Sequence, residues 1–233
     1  MLVAIHQPNF LPWLGYFDKI RRSDVFVVMN NAQFSKTGGT WTNRVQLLVA
    51  GEPAWVTVPI VRAYHGYRTV REMEINDRQP WREKMLRTIE QNYRRASHFD
   101  EVYPRLVELV LKPITDLATY NLTAIQTLCQ PLQLATPLIL GSELSVEGHS
   151  TDLLIAMVKA AGGDAYLAGS GASGYQDDGR FSAAGIDVVY QDFRHPTYPQ
   201  FNTGEFKPGL SIVDALMNCG FKGVRDLLLP AVG

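Results

Sequence analysis

His6, Gln7 and Asn9 stand together directly after a short apolar run, Leu2 to Ile5, and before an aromatic-rich segment, "FLPWLGYFDKI". Two more polar sets follow apolar runs in the same way. Asn30-Asn31-Ala32-Gln33 follows "DVFVVM", and Gly169-Ser170-Gly171-Ala172-Ser173-Gly174-Tyr175 follows "DAYLA". An imidazole near its ordinary pKa accepts a proton at neutral pH. Side-chain amides orient a substrate or donate to an oxyanion. Gly/Ser loops present backbone N–H groups to phosphate. These residue types suit general-base chemistry on a bound ligand. They assign His6 and Asn9 to the reaction, Gln7, Asn31 and Gln33 to substrate orientation, and Gly169, Ser170, Gly171 and Ser173 to a phosphate.

The remaining candidates lie further along the chain. Asn43 and Arg44 sit in "TWTNRV", and a guanidinium there would hold a carboxylate or phosphate bidentately or else form a surface ion pair. Tyr175, Tyr198 and Gln200 would complete the wall of the site. Asp214 and Asn218, an i, i+4 pair, share a helix face; they either line the site or cap a neighbouring loop. The bland reading of His6 is a structural ring bonded to a backbone carbonyl. Gly15, inside a helix, marks the close approach of another group, by packing or by a ligand.

Other chemistries find no support. The five histidines and two cysteines show no metal-ligand spacing, so no metal is expected. Ser170 and Ser173 lie in no GxSxG elbow. The net charge of -1 excludes a basic footprint for duplex nucleic acid. Arg82, Lys84, Arg87, Arg94 and Arg95 read as a solvated helix face. No basic and apolar leader and no membrane-length apolar run is present, so the expectation is a soluble cytoplasmic protein without a membrane partner.

The elements that must position these groups are legible by period. Leu2 to Ile5, a helix over Leu14 to Arg21, and Asp24 to Met29 form a strand–helix–strand unit, which implies a parallel pair. Val45 to Val49 and Ala54 to Ile60 flank a turn and read as an antiparallel hairpin, with "EMEI" as a possible third strand. Helices follow over Trp81 to Arg95, Glu101 to Leu111 and Thr115 to Leu132. The last third returns to α/β: strands at "PLILGSEL", "DAYLAG" and "IDVVYQDF", a helix capped by Ser150 or Thr151, and a helix at "LSIVDALMNCG" with Gly220 at its C′ position. The fold class is α/β, a parallel-sheet Rossmann-like core with an inserted β-hairpin and a mainly helical block. One domain is expected over 1–233, its α/β ends at 1–40 and 135–233 and the insertion at about 41–134. In such sheets ligands bind beyond the carboxyl ends of the strands, which is where the three polar loops fall.

"IHQPNFLPWLGYFDKI", "TWTNR", "YLAGSGASGY", "YPQ" and "LSIVDALMNCG", in this order across nearly the whole chain, resemble the WbqC-like protein family. That resemblance implies a role in bacterial surface-polysaccharide (O-antigen) biosynthesis, as an acyl- or aminoacyltransferase placing glycine or another small acyl group on an amino sugar, one carried on a nucleotide. The donor is left open between an acyl thioester, including one on a carrier protein, and an aminoacyl-tRNA. The opening strand, His-bearing loop and helix are also similar to nucleotidylyltransferases and pantothenate-synthetase-type ligases, which implies an ATP/Mg-dependent, adenylate-forming ligase as the alternative. Only His6 stands where those enzymes carry a histidine pair. A third reading is a non-catalytic small-molecule-binding or assembly protein.

Overall fold

The computed structural model of the chain describes residues 1–35, 40–169 and 176–229. Among these, five strands form one parallel sheet: β1 (Leu2–His6), β2 (Val25–Val28), β5 (Leu138–Leu140), β6 (Ala165–Ala168) and β7 (Asp187–Tyr190), in the order β5-β2-β1-β6-β7. Every neighbouring pair in it is parallel. The chain winds from β1 outward to β2 and β5, then returns to the far side of β1 to lay down β6 and β7. The winding direction therefore reverses between β1 and β6, and a crevice opens above that reversal in doubly wound sheets.

Both faces of the central strands β1, β2 and β6 are covered, which is why they are apolar almost throughout, whereas the edge strand β7 begins with Asp187 and exposes Val189 and Tyr190. Val3, Ile5, Val27, Tyr166 and Ala168 face α5 (Ser150–Ala160) and α6 (Asp178–Ala183), packing with Met157, Val158 and Phe181. The alternate residues Ala4, Phe26, Val28 and Leu167 face the other way. There they join a larger core with α1 (Leu14–Arg22) and α7 (Ile212–Leu228), and with the segment between β2 and β5. That segment holds the antiparallel hairpin β3 (Arg44–Val49) and β4 (Glu52–Thr57), then α2 (Trp81–Tyr93), α3 (Phe99–Val110) and α4 (Leu117–Cys129). The hairpin turns at Ala50 (φ 52°) and Gly51 (φ 84°), the paired positive φ values that a two-residue turn requires.

Three local expectations are corrected. "EMEI" adds no strand to the hairpin: Glu74 and Ile75 make single bridges to Asp116 and Ile60, so this stretch stitches α4 to the hairpin. "PLILGSEL" is strand only over Leu138–Leu140, because Gly141–Glu143 tighten into a 3₁₀ turn. At α5 neither Ser150 nor Thr151 is the N-cap; His149 holds that position without a side-chain cap bond.

Gly220 interrupts α7, with φ 66° and ψ 176°. A Cβ there would lie 2.6 Å from His98 Nδ1 and 2.8 Å from Glu101 Oε2, at the start of α3. The glycine thus serves the turn between two helical segments and the approach of α3. Gly220→Ala is expected to lower stability by about 1–3 kcal/mol, the cost of a side chain in that backbone region. Urea denaturation with an unchanged m-value would check it.

Candidate functional site

The loop after β1 stays buried as it crosses the carboxyl edge of the sheet, so its backbone groups need partners from the protein. Pro8 and Pro12 have no N–H and reduce that demand. The carbonyls are met one by one from different elements. Ile5 O accepts from Lys19 Nζ at 3.0 Å, and Gln7 O from Tyr16 Oη at 3.1 Å. Pro8 O accepts from Asn121 Nδ2 at 2.9 Å, Leu11 O from Ser211 Oγ at 2.7 Å, and Pro12 O from Ile212 N at 2.8 Å. Phe10 N donates to Trp41 O at 2.8 Å. Leu11, fully buried, is held at φ 38°, a strained conformation for a branched residue.

A cavity of about 640 Å³ opens above the β1/β6 reversal. That size suits a small molecule up to a nucleotide. His6 and Gln7 reach it from β1, Gly169 from β6, and Ser150 and Thr151 from the N-terminal turn of α5.

His6 is held in one tautomer. Its Nδ1 lies 3.1 Å from Gln7 O, and a carbonyl oxygen only accepts, so Nδ1 carries the proton and Nε2 keeps its lone pair. Tyr16 donates to the same carbonyl and packs edge-on against the imidazole at 4.9 Å; Trp13 closes on it at 5.8 Å. Burial, and then the positive charge of Lys19, push the His6 pKa down to about 3. The expected imidazole near its ordinary pKa is therefore corrected: the ring is neutral throughout the physiological range, and a proton on it is opposed by a neighbouring cation. Lys19, only 3% exposed, is itself brought down to about 8 by burial.

Lys19, Tyr16, Tyr166, Gln191, Phe193 and His195 line the cavity and were not singled out for it by sequence. For the first two a signal existed: Gly15, Tyr16 and Lys19 are spaced to share a helix face. Gln191 Nε2 ties the end of β7 to α1 through Gly15 O at 2.6 Å and Asp18 Oδ2 at 2.9 Å. Gly15 is needed for packing, since a Cβ there would lie 2.8 Å from Phe193 and 2.7 Å from the Trp13 indole nitrogen.

The predicted residues divide into separate places. His6, Gln7 and Gly169 share the cavity. Ser170, Gly171, Ser173 and Tyr175 lie outside the described residues. Asn9 is buried without lining the cavity. Asn31 lies beside Gly141, and its buried Oδ1 has no partner among the described residues; Gln33 is exposed and bridges to Thr69. Neither lines the cavity; of the residues that follow β2 it is Met29 that reaches it. Asn43 is buried and donates to Val58 O at 3.0 Å, which anchors the hairpin. The Arg44 guanidinium stacks on Trp55 at 4.1 Å.

Tyr198, Gln200, Asp214 and Asn218 do come together, but in the core rather than on the cavity wall. The Asp214 carboxylate accepts from Tyr93 Oη at 2.9 Å, Tyr198 Oη at 2.7 Å and Gln200 Nε2 at 3.0 Å. Burial holds its pKa above the usual carboxylate range against the opposing effect of these donors. Asn218 Oδ1 caps Phe201 N at 2.8 Å, so of the two roles open to this pair the structure shows loop capping. Tyr93 also accepts from Leu48 N at 2.9 Å, which joins α2, β3, α7 and the 198–201 segment in one network.

Comparison with known proteins places the chain. It belongs to the WbqC-like protein family, whose model matches residues 7–226. It is 31% identical over 220 residues to the uncharacterized protein Rv1507c of Mycobacterium tuberculosis, an alignment covering 94% of each chain. No solved structure matches it significantly. No helix among the described residues is long and apolar enough to cross a membrane.

Two predictions follow the geometry. The folded chain resists protonating His6, whereas the unfolded chain takes up that proton near pH 6.5. Stability is therefore lost as the pH falls from 6.5 toward 3, at about 1.4 kcal/mol per pH unit once the unfolded imidazole is charged. His195, also pushed down by burial, acts in the same direction. Denaturation of wild type and His6→Gln between pH 4.5 and 6.5 is expected to show a shallower dependence in the variant. Separately, Asp214→Ala strands the buried hydroxyls of Tyr93 and Tyr198, while Gln200 Nε2 keeps Lys207 O, and is expected to cost about 2–4 kcal/mol in a urea titration.

Proposed function

We propose that this WbqC-like protein is a cytoplasmic acyl- or aminoacyltransferase that forms an amide on a small amine, an amino sugar carried on a nucleotide. The observation that supports the reading is His6 in the crevice at the sheet reversal, its tautomer fixed by Gln7 O and its Nε2 lone pair left over. The amine nitrogen attacks the acyl carbon of an activated donor, a thioester or an aminoacyl ester. The new C–N bond forms as the donor's C–S or C–O bond breaks. His6 Nε2 takes the proton that the attacking nitrogen sheds and returns it to the leaving group. Tyr16 acts through His6 as a positioning residue, by sharing its carbonyl anchor and packing on its ring.

A second reading, an adenylate-forming ligase, is favoured by one observation: the cavity lies at the strand reversal of a doubly wound sheet, where nucleotides are commonly held. The two differ in where the energy comes from. A transferase uses a donor that is already activated, whereas a ligase cleaves ATP and releases pyrophosphate.

The purified protein, supplied with an amino-sugar nucleotide and either a glycyl donor or glycine with ATP, is expected to form the amide product from the activated donor without pyrophosphate release. Mass spectrometry and a pyrophosphate assay read the two outcomes. His6→Gln is expected to lower kcat about 10²–10⁴-fold, the usual contribution of a general base, with KM changed less than about 3-fold. Product formation only with ATP and pyrophosphate release would establish the ligase instead. Tight ligand binding with no turnover under either condition would identify a binding protein.

A further inference from the structure

We propose that Lys19 is the anchor for a phosphoryl group of the small molecule that occupies the cavity above the β1/β6 reversal. The inference rests on the reading of that cavity as the substrate site, and names the group by which the substrate is held.

The Lys19 ammonium has three N–H donors and donates to Ile5 O at 3.0 Å; the Tyr166 ring lies 5.8 Å away. Among the described residues no carboxylate lies within ion-pair distance of it. Its sequence neighbour Asp18 is engaged elsewhere, by Arg21 at 2.9 Å, Arg22 at 3.8 Å and Gln191 at 2.9 Å. An ammonium that is 97% out of solvent and lacks a counter-ion is costly unless something else balances its charge. Lys19 lines the cavity.

No Asp or Glu side chain is among the cavity's described lining residues. His6 and His195 are both held toward the neutral form. Ser150 and Thr151 bring the N-terminal turn of the eleven-residue helix α5, with its positive dipole end, to the same space. One buried cation and one helix N-terminus around a cavity without an anion select a ligand with several negative oxygens. A phosphoryl group can accept from the ammonium with one oxygen and from backbone N–H groups with another. It also has a consequence for the chemistry. The Lys19 charge opposes a proton on His6, so an anion seated on Lys19 relieves that opposition, and the base becomes competent when the substrate is in place.

The test uses inorganic pyrophosphate and the full chain in isothermal titration calorimetry. Saturable binding is expected, weakened at least tenfold by Lys19→Met and unchanged by Lys159→Met, a substitution at an exposed lysine of α5. Succinate, the carboxylate probe, is expected to bind more weakly than pyrophosphate. Should Lys19→Met fail to fold, wild-type protein carries the test: pyrophosphate is expected to slow acetic-anhydride labelling of Lys19 at least fivefold, and not that of Lys159, by peptide mass spectrometry. Absence of saturable binding, equal binding by Lys19→Met, tighter binding of succinate, or unprotected Lys19 would each overturn the proposal. Competition by a nucleoside diphosphate but not by a hexosamine phosphate would assign the group to a nucleotide, and the reverse to the sugar. Lys19-dependent pyrophosphate binding without any amide formation would overturn the transferase reading and support the phosphoryl site. Amide formation without pyrophosphate binding would overturn the site alone.

Discussion

The backbone of the loop after β1 has to be hydrogen-bonded by protein, because it runs buried across the end of the sheet where water cannot serve it. Much of the remaining architecture answers to that constraint. Its carbonyls draw Lys19 and Tyr16 from α1, Asn121 from α4, and Ser211 and Ile212 from the start of α7. The segment between β2 and β5 is thereby attached to the sheet at the site itself. Asn121 Nδ2 makes this plain: it reaches both Pro8 O at 2.9 Å and Thr42 O at 2.7 Å, so a single amide from the helical block holds the site loop and the approach to the hairpin.

A second polar network keeps the far side of the larger core in register. Asp214 collects donors from α2 and from the 198–200 segment, and Tyr93 passes the connection on to β3. A buried carboxylate is tolerated there because its lone pairs are met; fully satisfied networks of this kind select one packing among many apolar alternatives. The two networks share α7, which supplies Ser211 to the first and Asp214 to the second. Packing of this helix and the geometry of the cleft are consequently coupled, although Asp214 does not touch the cleft.

Within the cleft the electrostatics are one-sided. A neutral imidazole, a buried ammonium and a helix N-terminus surround the space, and none of the described lining side chains is acidic. Such a site spends stability when empty and regains it when an anion enters, a pattern common to pre-organised binding sites. Membership of the WbqC-like family names no reaction; the neutral, tautomer-fixed His6 is what gives the proposed amide chemistry a definite residue.

The α/β fold was legible in the sequence because apolar runs buried on both faces have a simple signature, and because helical period sets the helices apart from them by local backbone chemistry. So was the place of His6 and Gln7 at the end of β1. What the sequence could not settle is which polar residues meet. Tyr198, Gln200, Asp214 and Asn218 have the residue types of a binding wall, yet they satisfy one another inside the core. Asn31 and Gln33 follow a parallel strand as His6 does, yet the chain beyond Met29 carries them to Gly141 and Thr69, contacts that are long-range properties. Lys19 follows Gly15 and Tyr16 at helical spacing, but nothing local in the sequence marks it as buried. Only tertiary packing turns that face of α1 inward, takes the ammonium out of water and places it beside His6. Local periodicity and turn chemistry thus determined the elements, whereas the charge state of the site arose from burial and proximity, which exist only once the elements have packed.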